Sequence, residues 1–443
     1  MATVKHLHYK DSSLYRLFNL HDEKAKGRSV MLASSILSGI IGWLTGGLFY
    51  TSFLMHNGID LVKIGIISFV PYIANCFAVF APSILERFPK RRWVLFGGRL
   101  VYYLLTIFST TVMPFLVTDP DLRTLCFAIL IFAANITNAL FAGGYSAWHI
   151  NFIPNNVRAE YFSTSSMISN FIALGTALIS SLVADAFSSS PYAYTIIIIL
   201  RLAAFALALL ELWFLLQPVE YPYEKSGDKV RFSDIFTKPF SHPKFMYTLL
   251  LMGLWTFFVD TSASSINYYL LNDVGVSYTF TFTLNMLYPF FILFLLKPVN
   301  RLIRQHGWLP MFAVGAILYA IPSFTYSFVT AANYLWLMPI VRLTQHAFGV
   351  LLNTAYSNVV YINMPESDRV SYLAFYSIFI NALAFCGVLF GTWFVGTFPN
   401  LDLVIGALHF GNVQVLMWVE SFGRAFVGVL TLAMMRSIRP DEP

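Results

Sequence analysis

The sequence predicts an all-α membrane protein whose twelve transmembrane helices form two pseudo-symmetric six-helix bundles. Three observations carry this. First, the 443 residues are 57% hydrophobic and only 11% charged, where a soluble domain carries about 25% charged residues; the mean hydropathy is +0.66. Second, the apolar residues gather into runs of about twenty, the length a helix needs to cross a bilayer. Third, the second half of the chain repeats features of the first in a constant register.

Twelve spans are predicted, at 29–55, 64–85, 93–117, 124–148, 161–187, 193–217, 245–271, 277–296, 309–331, 334–361, 370–398 and 409–435. An outer-membrane barrel would instead alternate apolar and polar residues over strands of about ten. The connection 218–244, rich in Pro, Lys and Asp, divides the chain into an N-terminal half (1–217) and a C-terminal half (245–443). No segment outside the spans reaches the ~50 residues a folded domain usually needs.

The net charge of +6 is a topological signal and not a nucleic-acid footprint. Of the 28 Lys and Arg residues, only Lys63 and Arg123 fall in the loops facing one side, and Arg99, Arg201, Arg342 and Arg424 fall within spans. All the others lie on the opposite side, with both termini. The positive-inside rule assigns that side to the cytosol. The first 28 residues mix Lys5, Lys10, Asp11, Asp22, Glu23, Lys24 and Lys26 and contain no apolar core of signal-peptide type. Ser12 or Ser13 is placed to cap a short helix whose Leu14, Leu17 and Phe18 are expected on the membrane surface. Cys76, Cys126 and Cys386 are isolated within spans. They form no metal spacing and no disulfide framework, and read as small buried hydrophobes.

The repeat is specific in position. Tyr145-Ser146 is matched by Tyr356-Ser357, and Pro154, Arg158 and Tyr161 by Pro365, Arg369 and Tyr372. Ser166 and Asn170 are matched by Ser377 and Asn381. In span 6, Leu200-Arg201 aligns with Gly423-Arg424 of span 12. Parallel duplicated halves about an axis normal to the membrane are a transporter plan with its site between the halves.

Four evenly spaced helices carry polar stripes. They are Ser38, Gly42, Thr45, Phe49 and Ser52 in span 1; Asn135, Asn138, Ala142 and Tyr145 in span 4; Gly253, Thr256, Asp260, Ser264 and Asn267 in span 7; and Arg342, Gln345, His346, Gly349, Asn353 and Tyr356 in span 10. Steps of three and four residues keep one helix face. Polar atoms facing hydrocarbon cost several kcal/mol each, so these faces should point at protein or at a wet cavity. Spans 1, 4, 7 and 10 are therefore expected to wall a central solute pathway.

With these features the chain resembles the Major Facilitator Superfamily. That family's loop between helices 2 and 3 reads Gly-x-Leu-x-Asp-Arg-x-Gly-Arg-Arg/Lys. Here the stretch runs from Pro82 to Arg91, keeping an acid, an adjacent arginine and a basic pair as Glu86, Arg87, Lys90 and Arg91, with Pro82 and Pro89 at the glycine positions. The resemblance implies that these four residues latch the cytosolic side and that helices 1, 4, 7 and 10 line the cavity. The corresponding loop between spans 8 and 9 keeps the bases Lys297, Arg301 and Arg304 but lacks the acid. The family's antiporter motif in helix 5 is not found in Phe171 to Leu178, which favours symport or uniport over exchange.

Asp260 is the one acid on the four stripes and the candidate proton-coupling residue; its alternative is a structural ion pair with Arg342. Arg342 and His346, four apart, share a face: the guanidinium suits a carboxylate, phosphate or sulfate, and the imidazole can titrate or bond to a neighbouring helix. Asn135, Asn138, Tyr145, Asn267 and Asn353 complete the candidate substrate-binding set. Arg158 and Arg369, in equivalent loops, join the latch residues as a cytoplasmic gate. Arg201, Glu211, Glu420 and Arg424 read as structural, with Glu420 and Arg424 at ion-pair spacing and Glu211 a partner for Arg99. No nucleotide-binding, catalytic or metal motif is present, so neither an enzyme nor a cofactor or metal is expected. The expected protein is a monomeric secondary transporter in a bacterial cytoplasmic membrane. It moves a small polar or amphipathic organic solute by alternating access, with protons as a coupled partner and lipid around it. Efflux, or a non-transporting receptor or assembly factor on the same fold, is the alternative.

Overall fold

The computed structural model describes residues 13–18, 22–85, 87–88, 90–150, 152–154, 157–220, 232–365 and 369–438. Among them are twelve helices long and apolar enough to cross a membrane. They are α1 (Glu23–His56), α2 (Leu61–Phe80), α3 (Arg92–Leu116), α4 (Pro120–Tyr145), α5 (Glu160–Ala186), α6 (Ala193–Leu215), α7 (Pro243–Val274), α8 (Tyr278–His306), α9 (Trp308–Tyr326), α10 (Tyr334–Val359), α11 (Ser371–Thr397) and α12 (Asn412–Ala433).

The largest departure from the sequence expectation is α8. Hydropathy falls at Lys297, but the helix continues to His306 and ends at Gly307, whose φ of 90° few other residues adopt. Lys297, Arg301 and Arg304 therefore lie on helix and not in a loop. The extension is amphipathic: Val299 and Ile303 are buried while the basic residues are exposed. The segment before α12 also folds locally. Strands β1 (Asp402–Ile405) and β2 (Leu408–Gly411) pair antiparallel, and His409 and Asp402 meet across them at 2.9 Å. The short helix Ser13–Phe18 turns Leu17 toward the protein. Leu17 is fully buried against Ile153 and Tyr161. Buried Arg28 donates from Nε to the Leu17 carbonyl (2.8 Å) and from Nη1 to that of Phe152 (3.0 Å), pinning both segments to α1.

Three helices are interrupted. The first, α1, breaks at Gly46, with Gly47 at φ +52°. The second, α7, breaks just after Asp260, at Thr261-Ser262. The third, α8, breaks at Met286-Leu287, ahead of Pro289, which has no N–H to donate. Interrupted membrane helices are tolerated where neighbouring groups satisfy the freed backbone. At the α8 break the Leu284 carbonyl accepts from the Leu287 N–H at 3.1 Å and also from His346 Nε2 of α10 at 3.0 Å. The break in α1 changes the phase of its stripe. Ser38, Gly42 and Thr45 line a cavity, whereas Phe49 and Ser52 are buried against the start of α8.

Glycines set the closest helix contacts, as small residues do in membranes. A Cβ at Gly391 of α11 would lie 1.9 Å from the Thr261 carbonyl oxygen, and one at Gly387 2.3 Å from that of Phe257. These contacts dock α11 on α7 at its break. Between the halves, α2 packs along α11 through Gly65 and Thr392, Phe69 and Phe385 (ring centroids 5.3 Å), and Asn75 and Asn381 (3.3 Å).

Buried charges hold each half together. In the N-terminal half, Arg99 of α3 donates to Glu211 of α6 at 3.4 Å and to Ser38 at 2.9 Å, and Ser34 donates to Glu211 at 2.6 Å. Arg201 of α6 is bonded to Thr111 (2.9 Å), Thr110 (2.7 Å) and the Thr106 carbonyl (3.2 Å), and lies 4.1 Å from the Phe53 ring centre. In the C-terminal half, Arg424 pairs with Glu420 on α12. Its guanidinium sits 4.8 Å from the centre of the Tyr319 ring and 5.3 Å from that of Trp255. Glu211→Ala should thus leave Arg99 largely buried without its carboxylate, at a cost of about 3–5 kcal/mol. The thermal-unfolding midpoint of the purified protein should fall. An Arg99→Leu/Glu211→Leu double variant should recover most of the loss, and a double variant no more stable than the singles would contradict the pairing.

Candidate functional site

The two halves meet firmly at one membrane face and part below it. At the closed face, Asp185 at the end of α5 accepts from the backbone N–H groups of Tyr278 (2.9 Å) and Thr279 (2.6 Å) at the start of α8. An acid at a helix N-terminus is favourable for the same reason as an N-cap. Tyr278 also donates to Ser52, and the Phe49 ring stacks between Tyr278 and Phe282, at 5.2 Å from each. Toward the face where the short helices Ser13–Phe18 and Met435–Ile438 lie, α5 and α8 diverge around a cavity of about 750 Å³.

This inter-half cavity is walled by Trp43 of α1, Ser166, Asn170 and Leu174 of α5, Asn285, Tyr288 and Lys297 of α8, Tyr319 of α9, and Arg342, Gln345, His346, Gly349 and Asn353 of α10. Arg342 donates from Nη1 to Gln345 Oε1 (3.2 Å) and from Nη2 to the Tyr326 hydroxyl (3.0 Å). Asn353 donates to the Tyr288 hydroxyl at 2.8 Å. His346 lines the cavity, but its Nε2 is committed to the Leu284 carbonyl.

Asp260 occupies an adjoining chamber of about 350 Å³ with Trp255, Thr256, Tyr356 and Arg424, and Tyr319 and Asn353 line both spaces. It forms no ion pair with Arg342. Its Oδ1 accepts from the hydroxyl of Tyr72 on α2, in the other half, at 3.0 Å. A carboxylate of one half is thus bonded to a phenol of the other, beside the solute-sized cavity.

Asn135 and Asn138 line a separate space of about 430 Å³ inside the N-terminal half, with Ser38, Thr45, Ser68, Arg99, Tyr102 and Tyr103. The Asn135 amide donates to the Ile131 carbonyl of its own helix at 2.8 Å. Two candidates line none of these three spaces. Tyr145 spends its hydroxyl on the Leu95 carbonyl and sets its ring beside Arg99 (5.2 Å). Asn267 lies beyond the α7 break, on the short segment Ala263–Tyr268. Sequence reasoning also missed α5 and α8 as cavity walls. A signal existed for α5: Ser166 and Asn170 belong to the internal repeat, whose matching residue Asn381 meets Asn75 between the halves. Tyr72 carried no signal, because a lone tyrosine in an apolar span is ordinary.

The latch resemblance is only partly placed. Glu86 lies outside the described residues, as do the side chains of Arg158 and Arg369. Arg87 and Lys90 are exposed. Arg91 donates from Nε to the Leu85 carbonyl at 3.1 Å. One acid that organises the described part of this loop is Glu220, unnoticed in the sequence, which accepts from the backbone N–H groups of Arg91 and, at 2.7 Å, Arg92. Nearby, just past the end of α4, burial and the Arg99 charge push the His149 pKa down to about 4. His149 is therefore neutral at physiological pH.

The same architecture is found in solved transporter structures. The chain matches a point-mutant form of a nucleoside transporter, NupG, with a TM-score of 0.68 and 13% identity, covering 91% of this chain and 99% of that one. It matches a bacterial homologue of the iron transporter ferroportin in its inward-facing state with a TM-score of 0.65 and 12% identity, covering 92% and 98%. It matches a D-xylose-proton symporter with a TM-score of 0.63 and 13% identity, covering 93% and 98%. No family model matches the sequence, and no curated protein does. The fold is that of the Major Facilitator transporters.

Proposed function

We propose that this chain is a secondary active transporter that moves a small polar or amphipathic organic solute across a bacterial cytoplasmic membrane by alternating access. The observation that carries the reading is the one-sided junction of the halves: closed at Asp185 and Tyr278, parted below around a solute-sized cavity. The two halves, 1–217 and 245–443, rock about that cavity. Both termini face the cytosol, on the side where the basic residues collect. Asp260 carries the coupled proton, and its bond to Tyr72 ties its protonation to the contact between the halves. Arg342, Gln345 and Asn353 bind the solute with Ser166 and Asn170 opposite. Proteins of this fold named as transporters, one of them a proton symporter, support the reading.

Reconstituted protein should accumulate a solute that binds it, driven by an inwardly directed proton gradient, and a protonophore should abolish the accumulation. Solute that binds but never crosses would mark a receptor. Accumulation indifferent to the protonophore would remove the proton.

A further inference from the structure

The charge on the cavity wall identifies the solute more narrowly. This step rests on the transporter reading for the site's purpose, but its evidence is electrostatic. No acid lines the 750 Å³ cavity, whereas Arg342 lies within it and Lys297 lines it from α8. Neither cation forms an ion pair among the described residues. The arginines in the middle of three other helices, Arg99, Arg201 and Arg424, are engaged by the protein. Arg99 has Glu211, Arg424 has Glu420, and Arg201 has three hydrogen bonds and an aromatic face.

Arg342 differs in its place: it has no carboxylate partner among the described residues and it borders the inter-half cavity. Two of its five N–H donors reach neutral oxygens, on Gln345 and Tyr326, and its guanidinium lies 4.8 Å from the centre of the Tyr326 ring; its Nε, like Arg424 Nε and Arg201 Nη1, is buried with no hydrogen-bond partner. Asp260 does not answer it: that carboxyl is bonded to Tyr72 and forms no ion pair among the described residues. A half-buried cation without a counter-charge is costly within a membrane, and one whose remaining Nη N–H groups border a cavity suits a planar or tetrahedral anion. Exposed Lys297, ten residues past the α8 break on the same helix, adds a positive approach.

We infer that the solute is a small organic anion whose carboxylate or phosphate group binds Arg342. Gln345 and Asn353 orient its polar body, and Trp43 and Tyr288 cover its apolar part.

The test uses full-length protein in phosphatidylcholine nanodiscs and matched probes at millimolar concentration: benzoate against benzamide, succinate against succinamide, and glucose 6-phosphate against glucose. Thermal stabilisation is the readout. At least one anion should stabilise the protein where its neutral partner does not. Arg342→Gln should weaken that anion by about 10–100-fold, and Arg342→Lys should recover part of it. Rising salt should weaken binding in the wild type more than in Arg342→Gln. A neutral probe binding as tightly as its anion, anion binding unchanged in Arg342→Gln, or no anion-dependent shift at all would each overturn the inference. So would Arg342-dependent stabilisation by added phosphatidylglycerol that soluble anions fail to compete, since the occupant would then be a lipid headgroup. The transport reading fails separately. A neutral solute that binds and accumulates sinks the anion and keeps the transporter, and an anion that binds but never crosses does the reverse.

Discussion

Asp260→Asn should abolish accumulation against a gradient while leaving exchange of labelled for unlabelled solute intact. Asparagine keeps an oxygen to accept from Tyr72, so the contact between the halves survives, but it cannot take up or release a proton. Net symport requires the carrier to return empty with its proton released; exchange does not. Counterflow should therefore remain within a few-fold of wild type, while proton-driven uptake falls to background. Tyr72→Phe removes the bond and keeps the acid. It forfeits a hydrogen bond to a charged group, about 1.5–3 kcal/mol, and should alter the balance of conformations without erasing coupling. If the asparagine variant folds and still concentrates solute, the proton travels elsewhere. His346 is poorly placed to carry it while its Nε2 is bonded to the Leu284 carbonyl.

Gly65→Leu should force apart the face at which the structure is closed. A Cβ at this position would lie 2.1 Å from Thr392 Oγ1 and 2.9 Å from Thr392 Cβ, so rotating the threonine does not clear the clash. Overpacking of this kind costs about 1–3 kcal/mol. Here it falls on a contact between halves, so it should be relieved by separation and not by unfolding. A shift of about 5- to 150-fold toward the opposite-facing state follows. Spin labels at exposed Ser189 and Asn400, one on each half, should show a longer distance, and transport should slow. The exchange variant Gly65→Thr/Thr392→Gly, which moves the bulk across the contact, should restore the wild-type distance. Unchanged distances in Gly65→Leu would mean that α2 and α11 do not part at this face.

How much of this was legible in the chain depends on the range of the physics involved. Span number and approximate position follow from hydropathy, because a residue's preference for hydrocarbon does not depend on its neighbours. The pairing of Glu420 with Arg424 follows from helical spacing alone. The candidacy of Arg342 and Asp260 follows from the cost of charge in a membrane, wherever the partner lies. The continuation of α8 past Lys297 was not legible, because a polar helix leaving the bilayer loses the hydropathy that marked it. The stripe of α1 was read as one face, but the turn at Gly46-Gly47 gives it two. Asp260 and Arg342 sit in the same half at a plausible spacing, yet one bonds Tyr72 and the other Tyr326 and Gln345. Such choices depend on how helices distant in sequence cross and on which atoms come within about 3 Å. Sequence by itself therefore determined the membrane class, the duplicated plan and the charged residues that demand an explanation. Only the tertiary structure decided which charges are answered within the protein and that Arg342, with Lys297, is left at a cavity wall without an ion pair among the described residues, since compensation is a matter of distance between helices and not of residue type.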